Sequence, residues 1–426
     1  MTAWMEPSKV KYRMVEDVER LDYYVPGGYH PVMLGDEFCS GRYRIVHKLG
    51  FGRSATTWLA EDTQKRRLVA LKISTGESAD RTPEMEILSR LAKAESNLPG
   101  KAIIQNLLDS FTTSGPNGTH RCLVTDVARL NINEVKEYLY HQPLHLPAAR
   151  AIATQLVLGV QFVHSQEIVH GDLHLGNILL QLPPEMKNMT PEQLRARTGE
   201  PATELVVRED GAPLDPGVPP EVVIPIWIGI DGEEVTLGDA PIMIADFGEA
   251  FDPRETKHYT AHTPLLLAPP ESRFADAGNL DEPLSFPSDV WTLACAIWDI
   301  FGCRPPFESF PVSLDDVTME QWEKRSNWFD EDGRKNVKED LRRWYGNTHR
   351  GWDTRFLEYI QQPRERHGLE FFSAEEEIAF RGMIKLMLVL EPSQRATIDE
   401  VVGCEWMQQW GLPEWRRMQD LISKRS

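Results

Sequence analysis

The chain has 426 residues, 41% of them hydrophobic, with 65 acidic against 46 basic side chains and a formal net charge of −19. That length can build a large core in two or three compact units. The acidic surplus argues against binding along a nucleic-acid backbone and suits either basic peptides or plain solvated surface.

Five scattered cysteines (Cys39, Cys122, Cys295, Cys303 and Cys404) have no metal-ligand spacing and suit a reducing compartment. Residues 1–6 contain no apolar h-region, so no signal peptide is expected. In chain order, residues 42–74 read as strands and turns. Tyr43-Arg44-Ile45-Val46 alternates, Leu49-Gly50-Phe51-Gly52-Arg53-Ser54-Ala55 is a Gly-rich turn, Thr56–Ala60 follows it, and Arg67–Ile73 is β-prone. Thr82-Pro83-Glu84 predicts a helix start, with Met85, Ile87, Leu88 and Leu91 as its apolar face. Beyond about residue 130 the pattern is mostly helical, and Ile152, Leu156, Val160 and Val163 recur at helical spacing. Residues 182–222 are rich in Pro and Glu and weakly periodic, as in an inserted loop. The apolar run 222–230 predicts that this insert folds back onto the body. Residues 291–301 are too short to span a bilayer and predict a buried helix. Residues 307–344 mix aromatics with charges, and 378–389 and 397–407 predict two more helices.

The chemistry lies in His170-Gly171-Asp172-Leu173-His174-Leu175-Gly176-Asn177 and, later, Asp246-Phe247-Gly248. An Asp, an Asn five residues on, and a distant Asp-Phe-Gly can supply a base and two magnesium ligands for nucleotide-dependent phosphoryl transfer. Asp172 would accept a hydroxyl proton or orient the nucleophile. Upstream, Val69-Ala70-Leu71-Lys72 is the type of strand that carries a phosphate-binding lysine. By itself a Gly-X-Gly turn is often just a hairpin, and a strand lysine is often a solvated edge residue. Here the two occur in order, ahead of a helix bearing Glu84, which fits the lysine's partner; Glu86 is the alternative. Pro269-Pro270-Glu271, Ser288-Asp289-Val290-Trp291 and Arg395 complete the series, with Arg395 as the expected ion-pair partner of Glu271.

These motifs resemble the eukaryotic protein kinases, and specifically the SR-protein kinase group with its divergent fungal members. Leu21-Asp22-Tyr23-Tyr24-Val25-Pro26-Gly27-Gly28-Tyr29-His30-Pro31-Val32, Gly35-Asp36, Arg42-Tyr43 and Trp58-Leu59-Ala60-Glu61-Asp62 carry the closer likeness, which extends over about residues 20–412. The resemblance implies an α+β, bilobal protein-kinase fold. A lead-in over 1–40 would precede a small β-rich N-lobe over 41–128 with one main helix, and a large helical C-lobe over 129–420 with a spacer insert at about 181–240. It implies ATP and Mg²⁺, and transfer to Ser or Thr of a protein substrate, Arg/Ser-rich in this group. It also implies a monomer, no direct nucleic-acid or membrane partner, and residence in the cytoplasm and nucleus. Asp172, Lys72 and His174 would be catalytic. Leu49, Gly50, Gly52, Ala55, Thr57, Ala70, Lys72, Glu84, Asp126, Ala128 and Leu179 would contact the nucleotide, and Asn177 and Asp246 would hold the metal.

The chain also departs from this pattern. Ala55 replaces the third glycine, and Thr57 replaces the valine over the adenine. His174 stands for a lysine, and Ala268 stands where the group has an arginine. Gly171 replaces the arginine that reads a phosphorylated activation segment, so no switch of that kind is expected, although Thr256, Tyr259, Thr260 and Thr263 are available. His-Gly-Asp-Leu-His-X-Gly-Asn is also the loop of aminoglycoside and choline phosphotransferases, so a small-molecule phosphotransferase is a competing reading. A catalytically weak scaffold is another. For an Arg-rich substrate, the expected groove carries Asp315, Asp316, Glu320, Glu323, Asp330, Glu331, Asp332, Glu339 and Asp340, interleaved with Lys324, Arg325, Arg334, Lys335 and Lys338.

Overall fold

Six antiparallel strands make the main sheet: β1 (Glu37–Phe38), β2 (Tyr43–Phe51), β3 (Ala55–Asp62), β4 (Arg67–Ser74), β5 (Leu107–Gly115) and β6 (Gly118–Thr125), in the order β1-β2-β3-β4-β6-β5. The computed structural model describes residues 5–79, 81–139, 142–187, 189–229, 235–273, 283–307 and 352–425. The acidic segment 315–340 lies outside the described residues.

The chain divides into two compact units. The first holds residues 1–93, 105–130 and 181–229; the second holds 94–104, 131–180 and 230–426. In the first unit, side chains alternate between the two faces of the sheet. Tyr43, Ile45, Trp58, Leu71, Ile73 and Val124 form one core. Val46, Leu59 and Leu68 start a second core on the other face, where Leu182, Met186, Leu194, Ile226 and Ile228 of the insert cover them. Insert strands β9 (Thr203–Leu205) and β10 (Glu221–Val223) pair antiparallel. The lead-in joins the same assembly: Leu21, Tyr24 and Tyr29 pack with Val206, Val218 and Val222. The Arg13 N–H donates to Val207 O at 2.8 Å, and the Glu209 N–H donates to Lys11 O at 2.9 Å.

Residues 181–229, within the expected spacer at about 181–240, group with the first unit, and residues 94–104 group with the second. The insert's apolar residues are irregularly spaced, so their pattern did not reveal which surface they cover. It folds back through Ile226, whose N–H donates to Lys48 O at 2.8 Å.

The second unit is built around α3 (Leu146–Ser165), which follows α1 (Glu84–Lys93) and α2 (Ile132–Tyr138) in the chain. By length and composition α3 could cross a bilayer, but 83% of its most apolar window is buried within the protein, as in a packed core helix. The helix Phe286–Phe301 packs on it, and Trp298, Phe301, Phe356, Phe372, Phe380 and Trp406 interlock edge to face nearby. The two late helices expected at 378–389 and 397–407 are Ala374–Met387 and Ile398–Gly403, the second capped by Thr397. In the chain β7 (Ala128–Asn131) precedes α2, and β8 (Ile178–Gln181) pairs antiparallel with β11 (Ile242–Ile244) over residues 178–180.

Candidate active site

In the first unit the Gly-rich turn joins β2 to β3, and the Gly52 N–H donates to Ala55 O at 2.9 Å. Strand register aligns Gly50 with Thr57, Thr57 with Lys72, and Lys72 with Leu123. Directly opposed residues share a face, so Thr57 and Lys72 project together. Ala70 lies on the same face, opposite Leu59 and Thr125. Thr125, whose hydroxyl accepts from Gln105 Nε2 at 3.2 Å, was missed by sequence reasoning because its register with Ala70 is a long-range property. Lys72 Nζ donates to both carboxylate oxygens of Glu84 at 2.8 Å. Glu84 is buried with Ile87, Leu88 and Leu91, while Glu86 is exposed, so helix phase selects Glu84. Leu49 is half-buried against the insert-covered core. Asp126 is half-exposed and lies 4.0 Å from Arg67, and Ala128 opens β7.

In the second unit, pairing of Ile178 with Ile244 runs on into a bond from the Ala245 N–H to Asn177 O at 2.9 Å. This brings Asp246 beside Asn177. Leu179 sits in the same strand, opposite Met243. Asn177 Nδ2 donates to Asp172 O at 2.9 Å and faces Asp172 Oδ2 at 3.4 Å, which leaves the Asn177 amide oxygen as the acceptor a cation would use. Asp246 has a φ of 59°, a left-handed conformation unusual outside glycine and typical of strained functional positions. Asp172 Oδ1 is buried without a hydrogen-bond partner among the described residues. A buried lone pair of this kind suits a substrate hydroxyl.

Two histidines frame this carboxylate. His170 Nδ1 accepts from the Asp172 N–H at 3.3 Å, so its Nε2–H donates to Ala245 O at 3.2 Å. His174 Nδ1 accepts from the Gly176 N–H at 3.0 Å, so its proton sits on Nε2, 3.7 Å from Asp172 Oδ2. Beneath the loop, Asp289 accepts from His164 Nε2 at 2.9 Å, the His170 N–H at 2.7 Å and the Gly171 N–H at 3.0 Å. Burial alone would raise the Asp289 carboxyl, but the His164 bond, the nearby His164 and His170 imidazoles and the Gly171 N–H hold it below the usual range. A depressed carboxyl contributes its stability at neutral pH and loses it only as acid titrates the folded form. Glu271 and Arg395 make the expected pair, bidentate at 2.9 and 3.0 Å.

Residues 43–189 match the protein kinase domain family. Over that stretch, about a third of its length, the chain is similar to a protein kinase domain. It is 36% identical over 169 residues to SRSF protein kinase 3 of Homo sapiens, covering 39% of this chain and 30% of that protein. It is 36% identical over 175 residues to protein kinase dsk1 of Schizosaccharomyces pombe, covering 39% and 32%. It is 34% identical over 200 residues to the serine/threonine-protein kinase spk-1 of Caenorhabditis elegans, covering 45% and 20%. The chain thus resembles the SR-protein kinases while its match spans a third or less of these curated relatives.

The departures from the kinase pattern have local causes. An ideal Cβ on Gly171 would stand 2.5 Å from Glu249 O, and φ is +79°. The strand of the Asp-Phe-Gly segment crosses so closely here, held by mutual Val169–Phe251 backbone bonds of 2.8 and 2.9 Å, that no side chain fits. Gly171→Arg is therefore expected to cost about 2 kcal/mol or more from strain and clash, read by thermal unfolding, rather than to restore an arginine's function. Of the available hydroxyls, Thr256 and Thr260 are exposed, but Thr263 is buried and is withdrawn from modification in this arrangement. Ala268 is buried as well. At Gly50 and Gly52 nothing lies within 4 Å of where a Cβ would project, so the turn leaves a side-chain-free approach for phosphates. In the second unit, the Asn177 and Asp246 oxygens are ligands of the kind Mg²⁺ takes; protein kinases in general use ATP and Mg²⁺.

Proposed function

We propose that the protein is an ATP- and Mg²⁺-dependent Ser/Thr protein kinase acting on basic, Arg-rich polypeptides. The observation that carries the reading is the ion pair of Lys72 with Glu84 in one unit, together with Asp172 tied to Asn177 beside Asp246 in the other. When bound, ATP with Mg²⁺ supplies the phosphoryl group and the cation that neutralises its charge. Glu84 fixes the Lys72 ammonium for phosphate contact. Asn177 and Asp246 would hold the metal with oxygen ligands. Asp172 Oδ1 accepts the hydroxyl proton or orients the hydroxyl, and the His174 Nε2–H donates one hydrogen bond toward the transferred group. The net charge of −19 supports a basic substrate, and residence in the cytoplasm and nucleus belongs to the same proposal.

The bidentate Glu271–Arg395 pair favours this reading over a small-molecule phosphotransferase, which lacks the segment closed by Pro270-Glu271. The test is radiolabelled transfer from ATP to Arg-Ser, Lys-Ser and acidic peptides at low and moderate salt, beside choline and aminoglycosides. Arg-Ser repeats are expected to have the highest kcat/KM. Transfer to the small molecules and none to peptides would overturn the reading.

His174→Lys is expected to raise kcat, because an ammonium adds full charge where the imidazole donates a single bond. Steady-state kinetics on the best peptide check it. A lower kcat would assign His174 a role that depends on its bond with Gly176.

A further inference from the structure

Given the nucleotide-binding reading above, on which this rests, we propose that Tyr29 of the lead-in is a positioning residue that braces the Gly-rich turn for ATP. The Tyr29 hydroxyl donates to Gly52 O at 2.8 Å, across 23 residues of sequence. Gly52 lies at the exposed tip of the turn, where Phe51, Arg53 and Ser54 are exposed too. Tyr29 itself is 5% exposed. Its N–H donates to Tyr23 O at 3.1 Å, and its carbonyl accepts from Asn117 Nδ2 at 2.7 Å. The same Asn117 nitrogen donates to Gly217 O of the insert at 2.8 Å, so lead-in, hairpin and insert converge behind the phenol. Burial, reinforced by the charge of Glu19, pushes the Tyr29 hydroxyl up to about 12, so it remains a donor at neutral pH.

Both shoulders of the turn are fixed as well. Where β2 enters it, the fully buried Lys48 ammonium pairs with Glu19 of the lead-in, which also accepts from the Tyr24 hydroxyl. Where β3 leaves it, Ser54 O accepts from the Thr75 N–H at 2.7 Å. The next residues tie back to the lead-in through Gly76 N–H to Gly28 O at 3.0 Å and Glu77 N–H to Gly27 O at 2.7 Å. With both shoulders fixed, the tip bond governs how far the turn can lift. A tip held before nucleotide arrives loses less freedom on binding. The brace therefore acts on ATP affinity and leaves the transfer step unchanged.

The test compares full-length protein, Tyr29→Phe and Tyr43→Phe. The Tyr43 hydroxyl makes a like bond, to Asp109 Oδ2 at 2.8 Å, at the end of β2 remote from the Gly-rich turn. Tyr29→Phe is expected to raise KM for ATP about 2- to 10-fold, the loss of one hydrogen bond, with kcat held within about 2-fold. Without nucleotide, it is expected to speed amide exchange over residues 51–54. Tyr43→Phe should do neither. Unchanged KM and unchanged exchange in Tyr29→Phe would overturn the brace, as would equal changes in both variants. A parent protein that binds no ATP would overturn the kinase reading, and faster exchange confined to the turn of Tyr29→Phe would still support the brace.

Discussion

Asp172→Ala is expected to lower kcat about 10²- to 10⁴-fold, the range for losing a positioned general base, with little change in ATP binding. The side chain contributes little to holding its own loop. Asn177 is anchored mainly to the Asp172 carbonyl at 2.9 Å, and its approach to Oδ2 is long, at 3.4 Å. The loop backbone hangs from Asp289 through His170 and Gly171. The Ala variant should therefore keep its unfolding temperature and its stabilisation by ATP with Mg²⁺, and lose turnover. Asp246→Asn should behave differently, weakening the magnesium-dependent stabilisation first. Full turnover in Asp172→Ala would remove this loop from the reaction.

Arg395→Met is expected to destabilise the second unit by about 3–5 kcal/mol, the cost of stranding a buried partner. Arg395 is fully buried and forks onto Glu271, and its Nε–H also donates to Val389 O at 2.9 Å. Methionine fills the volume but leaves Glu271, whose side chain is 13% exposed, without its cation. At about 2–4 °C per kcal/mol for a unit of this size, the unfolding temperature should fall by roughly 6–20 °C. Adding Glu271→Gln should recover part of the loss. A fall under about 2 °C would mean that the pair is replaceable by solvent.

Local signals made much of the site legible. The Val69–Lys72 run formed a strand, Glu84 took the buried phase of α1, and Asp172, Asn177 and Asp246 fell in the order that pairing of β8 with β11 brings together. What was not legible depended on partners distant in sequence. Thr125 joins the Lys72 face through strand register. Gly171 looked like a lost arginine, yet the reason for glycine is a backbone crossing by Glu249 that no local pattern announces. The insert read as loop because Leu182, Met186, Leu194 and Ile226 keep neither a strand nor a helix period, and their order comes from the sheet they cover. His174 was noticed for its chemistry, but the tautomer that leaves its proton on Nε2 came from the Gly176 bond.

The three-segment make-up of the first unit bears on how the chain is born. As synthesis proceeds, residues 1–130 emerge with Val46, Leu59 and Leu68 still lacking Leu182, Met186 and Ile226, and with Tyr24 and Tyr29 lacking Val206 and Val222. A stretch of the other unit, 131–180, leaves the ribosome before the cover arrives. The β-sheet must therefore wait, half dressed, for about another hundred residues of translation, a delay of roughly 5–20 seconds at ordinary elongation rates. Cutting the chain near residue 130 would not liberate an autonomous small domain; it would leave one with two uncovered apolar faces, prone to chaperone capture and aggregation.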